Sequence, residues 1–138
     1  MASGKSTFLR NRELNYLFNG GAAVVVPANI WIRLYTTTLT PGGVGTEVVA
    51  ASYDQVSIPL DATNFPVTSD GELENALQVA VGVAEEDWGE LLAWGAWDAE
   101  TGGNLWYWGD IAPGIEISEG AVMVIPAGML KFKSQATA

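Results

Sequence analysis

Four groups of residues in this chain have types and spacings suited to chemistry. Glu85, Glu86, Asp87 and Glu90 set carboxylates close together beside aromatics, the raw material for the acid/base pair of a glycosidase. They are adjacent like charges with no partner to split their proton affinities, so they read as a solvated rim at a strand end. Gly4, Lys5, Ser6 and Thr7 look like the end of a phosphate-binding loop. That loop needs an earlier glycine and a preceding strand, and the three residues ahead of Gly4 supply neither. Ser6 or Thr7 reads instead as a helix cap. Asp98, Glu100 and Asn104 bring side-chain oxygens together as a calcium loop does, but the segment lacks that motif's length and its closing bidentate acid. With Gly102 and Gly103 it reads as a turn. The fourth group is aromatic: five of the six tryptophans lie between Trp88 and Trp108. They could stack on sugars, but each large aromatic buries ~150–250 Å² and more often anchors a core or an interface.

The composition narrows the chemistry further. There is no Cys, which removes disulfides, thiolate metal sites and a Cys nucleophile. There is no His, the commonest metal ligand and general base. No catalytic residue, no cofactor and no metal is therefore expected, and the protein reads as a non-enzyme. The longest apolar run, from Ala22 to Ala28, is too short to span a bilayer, and the start has no apolar stretch of signal-peptide length. A soluble protein with no membrane partner is expected.

Charge is segregated along the chain. Lys5, Arg10, Arg12 and Arg33 lie near the start and Lys131 and Lys133 near the end, whereas 15 of the 16 acids lie between Glu47 and Glu119. Those carboxylates have no cation in their own stretch. They must be solvated, reach the termini, bind cations or face a basic partner. Free nucleic acid is not an expected partner for so acidic a surface.

The elements that would position these groups are mostly strands. At 138 residues the chain is one self-sufficient domain, and its 16 glycines suit short strands and tight turns. A helix is expected over Ser6 to Asn19, with Leu14, Leu17 and Phe18 on one stripe and a stop at Gly20 and Gly21. Strands are expected at 22–26, 30–38, 52–60, 75–84, 91–99, 104–111, 115–117, 122–125 and 130–132. In the second of these, Ile30, Ile32 and Leu34 form the core face, with Trp31, Arg33 and Tyr35 opposite. Parity likewise sets Trp94 against Trp97, and pairs Trp106 with Trp108 apart from Tyr107. The fold class is mainly β: an antiparallel β-sandwich or jelly-roll of about eight short strands with one N-terminal helix. Residues 1–21 form a helical segment and possible interface arm, and residues 22–138 the β-sandwich domain.

One resemblance emerges from these residues. A starting helix precedes the strand Ile30 to Thr38 and a Gly-rich loop; Glu47, Ser52 and Tyr53 follow. Then come Trp94, Gly95, Trp97, Asp98 and Ala99; Gly102, Gly103, Asn104 and Leu105; Trp108 and Gly109; and finally Pro113, Ile117, Gly120 and Ile125 to Gly128. This resembles a family of small tailed-bacteriophage virion structural proteins, tail-fibre-like or minor virion proteins. The resemblance implies a virion location and no catalytic residues. Within it, the short, compact, acidic chain favours a capsid decoration (cement) protein that binds the assembled head. The alternatives are a tail or tail-fibre component, and a carbohydrate-binding β-sandwich module. The expected partners are the major capsid protein or another virion protein, and further copies of the chain in a homo-oligomer. Arg10, Leu14, Leu17, Phe18, Trp31 and Tyr107 are the candidate interface residues.

Overall fold

The aromatic hairpin around residues 98–104 forms the centre of the molecule. The computed structural model describes residues 3–133, so the ends of the two expected segments, 1–2 and 134–138, lie outside the described residues. The elements run β1 (Ser3–Lys5), α1 (Thr7–Phe18), β2 (Asn29–Tyr35), β3 (Val56–Pro59), β4 (Glu72–Glu74), β5 (Val79–Val83), β6 (Gly89–Trp97), β7 (Leu105–Ile117), β8 (Val122–Ile125) and β9 (Lys131–Lys133). A five-stranded sheet has the order β1-β7-β6-β2-β3, and two ribbons, β4-β9 and β5-β8, complete the strands. Every pairing is antiparallel. The mainly-β architecture with one helix is thus as the sequence implies.

The hairpin closes because Asp98 accepts from Asn104 N (2.7 Å) and Asn104 Nδ2 (3.2 Å), while Gly102 and Gly103 take positive φ. Arg33 clamps the same loop from β2: its Nη2 donates to Ala99 O (3.0 Å) and Gly102 O (2.6 Å), and its guanidinium lies 4.0 Å from the Trp97 ring centroid. Two glycines make room for the indoles. Trp94 sits across from Gly109, and a Cβ on Gly109 would lie 2.5 Å from the Trp94 ring nitrogen. A Cβ on Gly95 would meet Trp97 at 2.8 Å and Leu39 at 2.9 Å.

The sheet is covered on both faces. Ile30, Ile32, Leu34, Leu91 and Trp94 pack with Met123 and Ile125 of β8 and Phe132 of β9 in the main core. The expected core face of β2 is therefore correct, but the opposite face is buried too, with Arg33 8% and Tyr35 3% exposed. The reason is the segment after β2, which folds back through Thr36 N donating to Thr46 O (2.9 Å) and buries Leu39 against Tyr35, Ala93 and Leu105.

Four expectations are corrected. Residues 22–26 form no strand; Val25 and Val26 are exposed and pair with nothing. The separate strand expected at 115–117 is instead the end of β7, which runs through Pro113 and Gly114 by letting residues 111–114 bulge opposite Leu92. Trp106 is the extra residue of a second bulge: Leu105 faces Trp97 and Tyr107 faces Ala96, with Trp106 unpaired between them. That extra residue breaks the pairing of Trp106 with Trp108. Trp106 and Tyr107 lie against the main core, and Trp108 against the smaller one. A third bulge leaves Val81 unpaired in the strand expected at 75–84 and turns Val83 to solvent, off the face that simple strand alternation gives Val79, Val81 and Val83.

Tyr53 joins core and loops: it is buried, its hydroxyl accepts from Leu34 N (3.0 Å) and it donates to Glu47 Oε2 (2.6 Å). Burial raises its pKa, as it raises that of Tyr35 to about 12.

Two outcomes follow from this packing. Gly109→Ala forces a methyl into the Trp94 ring, so it should cost about 1–3 kcal/mol and lower the melting temperature by several degrees. An unchanged Tm in thermal denaturation would show that the ring is not fixed there. Buried tyrosines with raised pKa stabilise the fold fully below the unfolded value near 10 and lose that contribution as pH climbs through the folded value. The urea midpoint should therefore fall between pH 9 and pH 11, as the unfolding free energy drops by about 1.4 kcal/mol per pH unit for each buried tyrosine once its unfolded form ionises. Equal midpoints would contradict this.

Candidate assembly interface

The N-terminal arm has a buried root and a bare tip. β1 pairs with β7, so residues 3–5 are part of the main sheet. Ser6 is fully buried, caps α1 through Leu9 N donating to its Oγ (3.0 Å), and donates its own hydroxyl to Leu105 O. Ser6 is thus the cap that its residue type implies, and no phosphate loop forms around it. From there the helix leaves the body. Leu9 is its one buried side chain, and Leu14, Leu17 and Phe18 are 55%, 67% and 78% exposed. A helix of 12 residues is marginal in water on its own, and a cap supplies only about 1 kcal/mol. The fold therefore holds α1 by one end and leaves its apolar tip without cover.

The second feature is an apolar cleft of about 500 Å³ under the β4-β9 ribbon. Ile30, Leu60, Phe65, Trp106, Tyr107 and Phe132 line it. Phe132 fixes the wall by edge-on contacts with Tyr107 (5.2 Å), Phe65 (5.5 Å) and Trp94 (5.6 Å). Asp61 stands at the mouth, and Asp70, Glu72 and Glu74 line the adjoining groove. The Asp61 pKa is lowered by hydrogen bonds from Asn64, and that of Asp70 by the Thr68 hydroxyl.

The six candidate residues fall in three places. Leu14, Leu17, Phe18 and Arg10 share the exposed helix. Tyr107 is half-buried in the cleft, close enough to α1 for Glu13 to add to the burial that pushes its hydroxyl up to about 12. Trp31 sits half-buried across from Trp97 and Ser57, on the Arg33 face of the sheet, and is not gathered with the others. Phe65 and Phe132 were not among the candidates. They are 67 positions apart in the chain, Phe132 in β9 and Phe65 in the loop ahead of β4, and their rings meet edge-on.

The acid groups serve as acceptors. Glu86 takes Ser52 N (2.8 Å) and Ser52 Oγ (2.9 Å), and Asp87 takes Glu119 N (2.8 Å). They tie loops together, which corrects the expectation of a purely solvated rim. Ser52 Oγ in turn accepts from Glu85 N and Trp88 Nε1, both at 3.0 Å. Among the described residues no cluster of three or more His, Cys, Asp or Glu is arranged to hold a metal. No helix there is long and apolar enough to cross a membrane.

Root and tip should respond differently to mutation. Leu9→Ala removes the one buried contact of α1 and should cost about 2–5 kcal/mol, with fast amide exchange along the helix. Leu17→Glu touches no core and should change stability by within about 0.5 kcal/mol. A large loss of stability in Leu17→Glu would place the tip in the monomer's own core.

No curated protein matches this chain. A protein-family model does: the family described as Podophage GP4 fiber I protein gp80 matches residues 4–133, which takes in β1, α1, the aromatic hairpin and the cleft. The chain belongs to this phage fibre family and is a virion structural protein.

Proposed function

We propose that this chain is an adhesive module of the phage tail fibre, working by contact between virion subunits and not by catalysis. The observation that carries this reading is α1, rooted in the sheet at Ser6 and Leu9 and apolar and uncovered at its tip. A helix face of this kind is what a subunit contact uses. The family's description as a fibre protein supports the tail position over the head. The carboxylates best placed for acid/base work, Glu86 and Asp87, are taken up by loop amides and a hydroxyl, which supports the absence of catalysis. The partner on this reading is another virion protein.

Labelled antibody against the chain on purified particles, with copy number read from a stained gel, tests the position. A fibre module should label the tail at low copy number. Dense labelling of the head, at a copy number that scales with the shell, would overturn the tail assignment and make the chain a capsid decoration protein bound to the major capsid protein.

A further inference from the structure

The chain carries an apolar plug and an apolar socket that its own fold does not join. The plug is the tip of α1, where Leu14, Leu17 and Phe18 stand in solvent. The socket is the cleft of about 500 Å³ walled by Phe65, Tyr107 and Phe132. We infer that α1 of one copy seats Leu14, Leu17 and Phe18 in the Phe65, Tyr107 and Phe132 cleft of a second copy. Each chain then gives one helix and receives one, a heterologous contact that closes into a ring or extends along a fibre. This inference rests on the adhesive-module reading and names its partner.

Charge selects a second copy as the occupant. Residues 5–28 carry three cations, Lys5, Arg10 and Arg12, against the single acid Glu13; Lys5 pairs with Glu13 at 2.9 Å, which leaves Arg10 and Arg12 without an acid in the arm. Residues 29–133 carry fifteen acids against three cations, of which Arg33 is buried and Lys131 is paired with Glu74 at 2.7 Å. The exposed Arg10 thus belongs to a basic arm, and the cleft opens among Asp61, Asp70 and Glu72. Hydrogen bonds to Asp61 and Asp70 favour their ionised forms. A contact between two α1 helices would instead bring Arg10 and Arg12 towards their own copies. A sugar fits less well, because its hydroxyls need polar partners. The cleft wall is aromatic and aliphatic, and Asp61 Oδ1 already accepts from Thr63 N, Asn64 N and Asn64 Nδ2.

The absence of cysteine from the chain makes a direct test available. Leu17→Cys marks the plug and Thr68→Cys marks the exposed mouth of the socket. Leu60→Cys, also on the cleft wall, serves if Thr68→Cys disturbs folding by circular dichroism. Under mild oxidation the 1:1 mixture of plug and socket variants should give on the order of tenfold more disulfide dimer than either variant alone, because docking raises the effective concentration of the pair. Adding Arg10→Glu to the plug variant should lower that yield several-fold at low salt. Efficient dimer from Leu17→Cys alone would mean helix against helix. An intrachain link in the Leu17→Cys/Thr68→Cys double variant without dimer would mean that the helix closes on its own cleft. No excess of dimer in the mixture would mean that the cleft is not the socket. Each of these results overturns the inference. Labelling of purified particles is unaffected by all of them, so failure of self-docking and failure of the virion role remain separable.

Discussion

The seating of Trp94 against Gly109 is the contact on which the rest of the structure depends. It fixes the register of β6 and β7, where the absence of a side chain on one strand admits a whole indole from the other. The other strands of the main sheet attach to that pair. β6 carries β2 and, through it, β3; β7 carries β1 and the root of α1. Trp97 lies against Gly95, two residues back in its own strand, on the opposite face, and Arg33 stacks on its ring. Trp94 and Trp97 thus each lie over a glycine, one across the two strands and one along its own strand.

Charge in this chain is handled by hydrogen bonding more than by ion pairing. Among the described residues two salt bridges appear, Lys5 with Glu13 and Lys131 with Glu74. The central acids have no base within reach along the chain. Instead Glu47 accepts from Tyr53 and Gln55, Glu86 from Ser52, Asp87 from Glu119 N, and Asp98 from Asn104. A carboxylate bound by amide or hydroxyl donors keeps its charge and gains charge-assisted hydrogen bonds. The fold thereby uses its acids to close loops and still presents a negative surface. That surface sets the chemistry of any contact, since a basic arm on an acidic body gains encounter rate and orientation from charge and affinity from apolar burial.

The arm also shows how a small β domain can be stable by itself and still lack something. Its core is closed on both faces of the main sheet without any help from the tip of α1. The helix costs conformational entropy to form, and within one copy it recovers little beyond the burial of Leu9 and the Ser6 cap. Among the described residues the tip of α1 leaves Leu14, Leu17 and Phe18 in solvent.

Features that depend on neighbours along the chain are legible in the residues alone. Ser6 as a cap, the stop at Gly20, the Ile30, Ile32 and Leu34 face and the turn at residues 98–104 rest on local dihedral preference, side-chain period and short-range hydrogen bonds. The aromatic and glycine pattern from Trp94 to Gly109 carried the family in the same way, because it lies within one hairpin. The tertiary structure decided what depends on register. One unpaired residue reverses every later side chain in a strand, and Trp106 and Val81 are such residues. Parity therefore placed Trp106 and Val83 on the wrong faces, and no local signal marks the slip, since a bulge is fixed by what the partner strand can accommodate. The cleft was illegible for a related reason. Phe132 lies in a strand that the sequence marks, but its partner β4 has three residues and no local signal, and Phe65 reaches Phe132 from a loop far away in the chain.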